Sequence, residues 1–201
     1  MNKQRKVGII GLGHVGAHVA YTLCVRAIAD ELVLVDINNK KLASECQDLR
    51  DAVAYHPHRV TINSGTYEDL ADCDIIVNAA GKIDLLRESL SRVTEMDFTI
   101  PQVRDFCPKL KAAGFKGVFL NITNPCDIVA HEAAKLLGLP KGRVFGTGTG
   151  LDTARLVSAL ARQTGIDHSK LPKHLLLQIF PKQKNGHHPQ GGAHFLFDSF
   201  G

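Results

Sequence analysis

The 201-residue chain has no tryptophan, two methionines and three tyrosines, and aromatic residues make up only 6% of it. Its formal charge is a modest +4, and its lysines and arginines do not cluster with aromatics. Nucleic-acid binding therefore has no specific support. No apolar run approaches the length that spans a bilayer, so no membrane partner is expected. The five cysteines (Cys24, Cys46, Cys73, Cys107 and Cys126) are scattered, odd in number and form no C-x-x-C pair. That argues against zinc and against a disulfide framework, and no metal is expected. Residues 2–6 are polar or basic and run straight into an apolar strand. They leave no room for a signal peptide, which makes the cytoplasm the expected compartment. Hydrophobic residues make up 44%, enough for a packed core. The length suits one large domain, or one domain and part of another.

Strand and helix patterns alternate from the start. Strands are predicted at 6–10, 32–36, 60–63, 74–79, 117–121 and 143–145, and helices at 14–28, 40–54, 92–113, 126–137 and 151–164. Pro101 and Pro108 fall inside the third helix and adjust it, because proline breaks the i to i−4 ladder. Gly138 ends the fourth. Apolar strands alternating with amphipathic helices imply a parallel sheet covered on both faces, an α/β doubly wound (Rossmann) architecture. In such sheets ligands bind beyond the carboxyl ends of the strands, so residues just after strands carry most information.

The first such stretch is Gly11-Leu12-Gly13-His14-Val15-Gly16, which follows a strand and opens a helix. Gly11 allows the tight turn, Gly13 lets the backbone approach a pyrophosphate, and Gly16 lets helix and strand pack closely. The helix N-terminus favours an anion. Asp36 ends the second strand, 20 positions after Gly16. A carboxylate there accepts hydrogen bonds from both ribose hydroxyls and repels a 2′-phosphate, so the expected cofactor is NAD rather than NADP. Later strand ends carry Ala79-Ala80-Gly81, Thr123-Asn124-Pro125-Cys126-Asp127 and Gly148-Thr149-Gly150-Leu151-Asp152-Thr153-Ala154-Arg155. Turn chemistry explains the glycines and asparagines. It does not explain Asp152 and Arg155 one helical turn apart.

Together these motifs resemble the L-lactate and L-2-hydroxyacid dehydrogenase family, which includes malate dehydrogenases, over residue 5 to about residue 170. The likeness is greatest to its L-lactate and L-2-hydroxyisocaproate dehydrogenases. The resemblance implies NAD-dependent hydride transfer to or from a small 2-oxo or 2-hydroxy acid, in a homo-oligomer. It places Gly11, Gly13, Val15, Gly16, Asp36, Gly81 and Asn124 at the cofactor. Arg92, Asn124 and Arg155 fall at the substrate, and Arg92, Asp152 and Arg155 carry the chemistry. Arg155 would grip the substrate carboxylate with a two-pronged hydrogen bond. Its plain alternative is a surface arginine paired with Asp152. Asp152 would orient a catalytic histidine. Arg92 fits best as the loop arginine that polarises the substrate carbonyl, with Arg87 as its competitor. Asp84 or a neighbouring leucine would set substrate size. No arginine falls where malate dehydrogenases meet a second carboxylate, which disfavours malate.

The family's catalytic histidine, in a Gly-Glu-His-Gly motif, would fall near Ile179, where the chain does not match it. The expected organisation is an NAD-binding domain over 1–147 and the start of a substrate domain over 148–171. Residues 172–201 form a non-family, disordered tail, as if the reading frame shifts near Pro172 and leaves the substrate domain incomplete. The tail gathers four of the ten histidines, His174, His187, His188 and His194, without periodicity. Either His187 or His188 replaces the base, or the tail histidines are solvent-exposed. The second reading makes the chain an inactive NAD-binding fragment. His14, His56, His58 and His131 read as plain loop, surface or packing residues. Helices left without their usual cover would expose apolar faces and promote association.

Overall fold

The computed structural model describes residues 4–81 and 92–171, with the backbone alone for 92–94. The loop residues Asp84 and Arg87, the tail 172–201 and its four histidines lie outside the described residues. The described residues divide into two compact units, the first ending at Thr147 and the second beginning at Gly148.

The first unit is built on strands β1 (Lys6–Ile10), β2 (Glu31–Val35), β3 (Thr61–Ser64), β4 (Ile75–Asn78), β5 (Val118–Asn121) and β6 (Val144–Gly146). They form one parallel sheet in the order β3-β2-β1-β4-β5-β6. Helices α1 (His14–Val25), α2 (Asn39–Val53), α3 (Arg92–Ala112) and α4 (Cys126–Leu137) connect them. The order reverses between β1 and β4, which makes the crevice beyond those two strands the ligand position of a doubly wound sheet.

Alternation along each strand divides the core into two layers. Ile9, Leu32, Leu34 and Val77 pack with Ala20 and Cys24 of α1 and Leu42, Cys46 and Leu49 of α2. Their sequence neighbours Ile10, Val33, Val35 and Ile76 point the other way, onto Val103, Phe106 and Leu110 of α3 and Val129 and Ala133 of α4. Each buried aliphatic side chain contributes about 1.5–3 kcal/mol. Phe106 meets Phe119 at 6.2 Å and Tyr67 at 5.6 Å between ring centres, within the range of favourable aromatic pairs. All five cysteine thiols are free. Burial pushes those of Cys24, Cys73 and Cys107 up to about 11, 12 and 12, so they pack as neutral groups.

Most element ends fall within a residue of expectation; α1 is the exception. Its periodic pattern continues to Ile28, but the helix stops at Val25. Ala27 adopts φ +52°, and Ile28 N–H donates back to the Leu23 carbonyl at 3.0 Å. A left-handed residue that closes the helix in this way is usually glycine. An alanine there gives no signal in the sequence. Helix α3 runs through both Pro101 and Pro108.

The second unit carries α5 (Gly150–Thr164) and a short 3-10 turn, His168–Lys170. The Asp167 carboxylate caps that turn by accepting from Ser169 N–H at 2.8 Å. Among the described residues no helix is long and apolar enough to cross a membrane.

Candidate functional site

The glycine loop between β1 and α1 is fixed from three sides. Gly11 N–H donates to the Val35 carbonyl of β2 at 2.8 Å. Gly11 has φ +87°, and a β-carbon there would sit 2.7 Å from Ala80 backbone atoms after β4. A β-carbon on Gly16 would lie 1.9 Å from the Gly11 carbonyl oxygen. Turn, strand and helix therefore approach one another at distances only glycine permits.

Gly13 is different. A β-carbon there would meet nothing within 4 Å, and Gly13 caps α1 without any side-chain hydrogen bond. No acidic residue stands in the first helical turn. The first N–H groups of α1 thus face open space at the positive end of the helix dipole. That cradle fits the pyrophosphate of a dinucleotide. Val15 lies beside it and is 57% exposed.

Asp36 is wired directly to this loop. Its Oδ2 accepts from Leu12 N–H at 2.6 Å, and its Oδ1 accepts from Asn38 N–H at 2.8 Å. Asn38 in turn caps α2 by accepting from Lys41 N–H at 3.1 Å. The half-buried carboxylate keeps free lone pairs on both oxygens, enough for two further hydroxyl donors.

The ends of β4 and β5 are joined by buried amides. Asn78 and Asn121 are both 0% exposed and stand opposite one another in the strand register. Asn78 Nδ2 donates to Asn121 Oδ1 at 2.9 Å. Gly81 and Asn124, just beyond, are exposed. The Asn124–Pro125 peptide bond is cis.

In the second unit Asp152 lies in the first turn of α5. Arg155 Nη1 donates to Asp152 Oδ1 at a long 3.4 Å, and the two side chains are 65% and 58% exposed. An exposed pair of this kind contributes at most about 1 kcal/mol and separates readily. Thr153 between them is buried, with its hydroxyl unpaired among the described residues. Arg92 opens α3.

The structure thus brings Gly11, Gly13, Gly16 and Asp36 together in the first unit, and pairs Asp152 with Arg155 in the second. Sequence reasoning missed Asn78 and Asn121 as a pair. The available signal was an asparagine closing each of two otherwise apolar central strands.

Comparison with known proteins agrees with this geometry. Residues 5–146 match the family model for the lactate/malate dehydrogenase NAD binding domain. An L-lactate dehydrogenase of Fusobacterium nucleatum is 40% identical over 176 residues, 88% of this chain and 54% of that protein. L-lactate dehydrogenase 2 of Listeria monocytogenes is 41% identical over 166 residues, covering 82% and 52%. Among solved structures, a minor L-lactate dehydrogenase from Enterococcus mundtii in a ligands-bound form superposes with a TM-score of 0.76 at 35% identity. The superposition covers 83% of this chain and 52% of that one. The chain spans about half the length of the curated relatives it matches.

Proposed function

The chain belongs to the lactate/malate dehydrogenase family, and from that premise we propose that it serves NAD-dependent interconversion of an L-2-hydroxy acid and its 2-oxo acid. L-Lactate and pyruvate are the first pair, and a branched-chain pair the near alternative. The observation that carries the reading is the 2.6 Å bond from Leu12 N–H to Asp36. It ties the ribose-reading carboxylate to the loop whose open face receives the pyrophosphate. When bound, NAD supplies or takes up the hydride at its nicotinamide ring.

The chain's own residues bind and orient. Gly13, Val15 and the N–H groups opening α1 hold the pyrophosphate, while Asp36 accepts from the ribose hydroxyls. Gly81 leaves room for the nicotinamide half, and Asn124 donates to the nicotinamide or the substrate. Arg92 polarises the substrate carbonyl. Arg155 leaves its weak contact with Asp152 and takes the substrate carboxylate in a forked hydrogen bond. Asp152 then orients a histidine and stabilises its protonated form. The proposed setting is a cytoplasmic homo-oligomer.

One observation favours a second reading, a nucleotide-binding chain without turnover. Among the described residues of its own unit, Asp152 bonds to Arg155 and to no histidine. NADH oxidation with pyruvate and with 4-methyl-2-oxopentanoate separates the two. Turnover with either acid supports the dehydrogenase and names its preference. NADH binding without turnover supports the second reading.

A further inference from the structure

We infer that the Asn78–Asn121 amide pair is a positioning device that makes the loops after β4 and β5 one body under the nicotinamide half of the dinucleotide. The inference rests on the dinucleotide reading above. A doubly wound sheet has two halves, each facing one mononucleotide. Asp36 marks the ribose of the first half, over β1–β3. The other mononucleotide then faces the loops that leave β4 and β5.

Both strands end in asparagine at matched register, and both side chains are fully buried. Burying an amide is costly unless its polar atoms are bonded. Apart from the amide-to-amide bond, every strong bond these side chains make goes to the backbone of the two loops or their continuation. Asn78 Oδ1 accepts from Ala80 N–H at 3.2 Å. Asn121 Nδ2 donates to the Thr123 and Cys126 carbonyls, each at 2.9 Å, and Asn121 Oδ1 accepts from Thr123 N–H at 3.3 Å. The Thr123 hydroxyl closes the circuit by donating to the Ala80 carbonyl at 3.0 Å. Residues 79–81 and 123–126 are thereby cross-linked through the two amides. Gly81 and Asn124, which the proposed function places at the ligand, are carried at the two free margins of this body. Neither amide touches the ligand position; both act through the loops.

The test is a pair of titrations on the whole chain, NADH by fluorescence and ADP, which lacks the nicotinamide and its ribose, by calorimetry, with thermal melting to confirm folding. The variant is Asn78→Leu with Asn121→Leu, which removes the amide-to-amide bond together with the amides' bonds to the Ala80, Thr123 and Cys126 backbone. NADH affinity is expected to fall about tenfold, the scale of one net hydrogen bond, while ADP affinity stays unchanged. Thr123→Val, which removes only the hydroxyl bridge, shifts NADH affinity in the same direction by less, and decides the matter if the double variant does not fold. Equal losses for both ligands, or no loss for either, would overturn the positioning role. A wild-type chain that binds neither ligand would overturn the dinucleotide reading, and the inference with it.

Discussion

Two glycines only three positions apart in sequence, Gly13 and Gly16, show how one motif divides its tasks. Gly16 is needed for packing, since a β-carbon there would collide with the Gly11 carbonyl oxygen at 1.9 Å. Packing does not require glycine at position 13, since a β-carbon there would touch no part of the protein; the proposed function uses Gly13 for access. Gly16→Ala should therefore destabilise the fold by about 3 kcal/mol, the upper end of overpacking costs. Gly13→Ala should leave the melting temperature nearly unchanged and weaken NADH binding. Melting and NADH titration of both variants check this, and equal loss of stability in the two would contradict it. Both glycines were legible as parts of one fingerprint. Their division of labour was read from the motif as well; what the sequence did not show is what stands opposite each one, the Gly11 carbonyl in one case and open space in the other.

At the scale of elements, the ends rather than the existence of helices resisted reading. Gly138 announces the end of α4, whereas α1 ends through Ala27 in a left-handed conformation that its sequence does not signal. That strain gives a second expectation. Ala27→Gly should stabilise the chain by about 1 kcal/mol, because glycine adopts this conformation without the β-carbon penalty. Chemical denaturation measures it, and a destabilisation would show that Ala27 is not strained. The entry to β1 is tied to the turn before β2 by Arg5, whose backbone N–H and guanidinium donate to Asp30 at 2.7–3.0 Å. The Arg5 hydrogen bonds hold the Asp30 carboxyl down to about 2 from its ordinary 3.8. A lowered carboxyl contributes stability that is complete above its unfolded value and is lost as pH falls through the folded one. Between about pH 3.8 and 2 the wild-type chain should therefore lose stability faster than Asp30→Asn, as acid titration of the melting temperature will show. Parallel curves would remove Asp30 from the acid transition.

For the whole molecule, alternation of side chains over the strands was enough to read a parallel sheet with helices on both faces, and both core layers follow it. The site was legible where it rests on local spacing, as at Gly11 to Gly16 and at Asp36. It was illegible where it rests on strand neighbours far apart in sequence: Asn78 and Asn121 are 43 positions apart and become partners only through the order β1-β4-β5. The same holds for Leu12 and Asp36, whose contact joins a motif and a spaced acid into the proposed reader of the ribose. The central claim is that this reader selects NAD. Its most direct test is the binding of NADH and NADPH to the chain under identical conditions. The account predicts that NADH binds and that NADPH binds at least about tenfold more weakly, because a 2′-phosphate would face the Asp36 carboxylate. Equal affinity for the two, or no affinity for NADH, would contradict it.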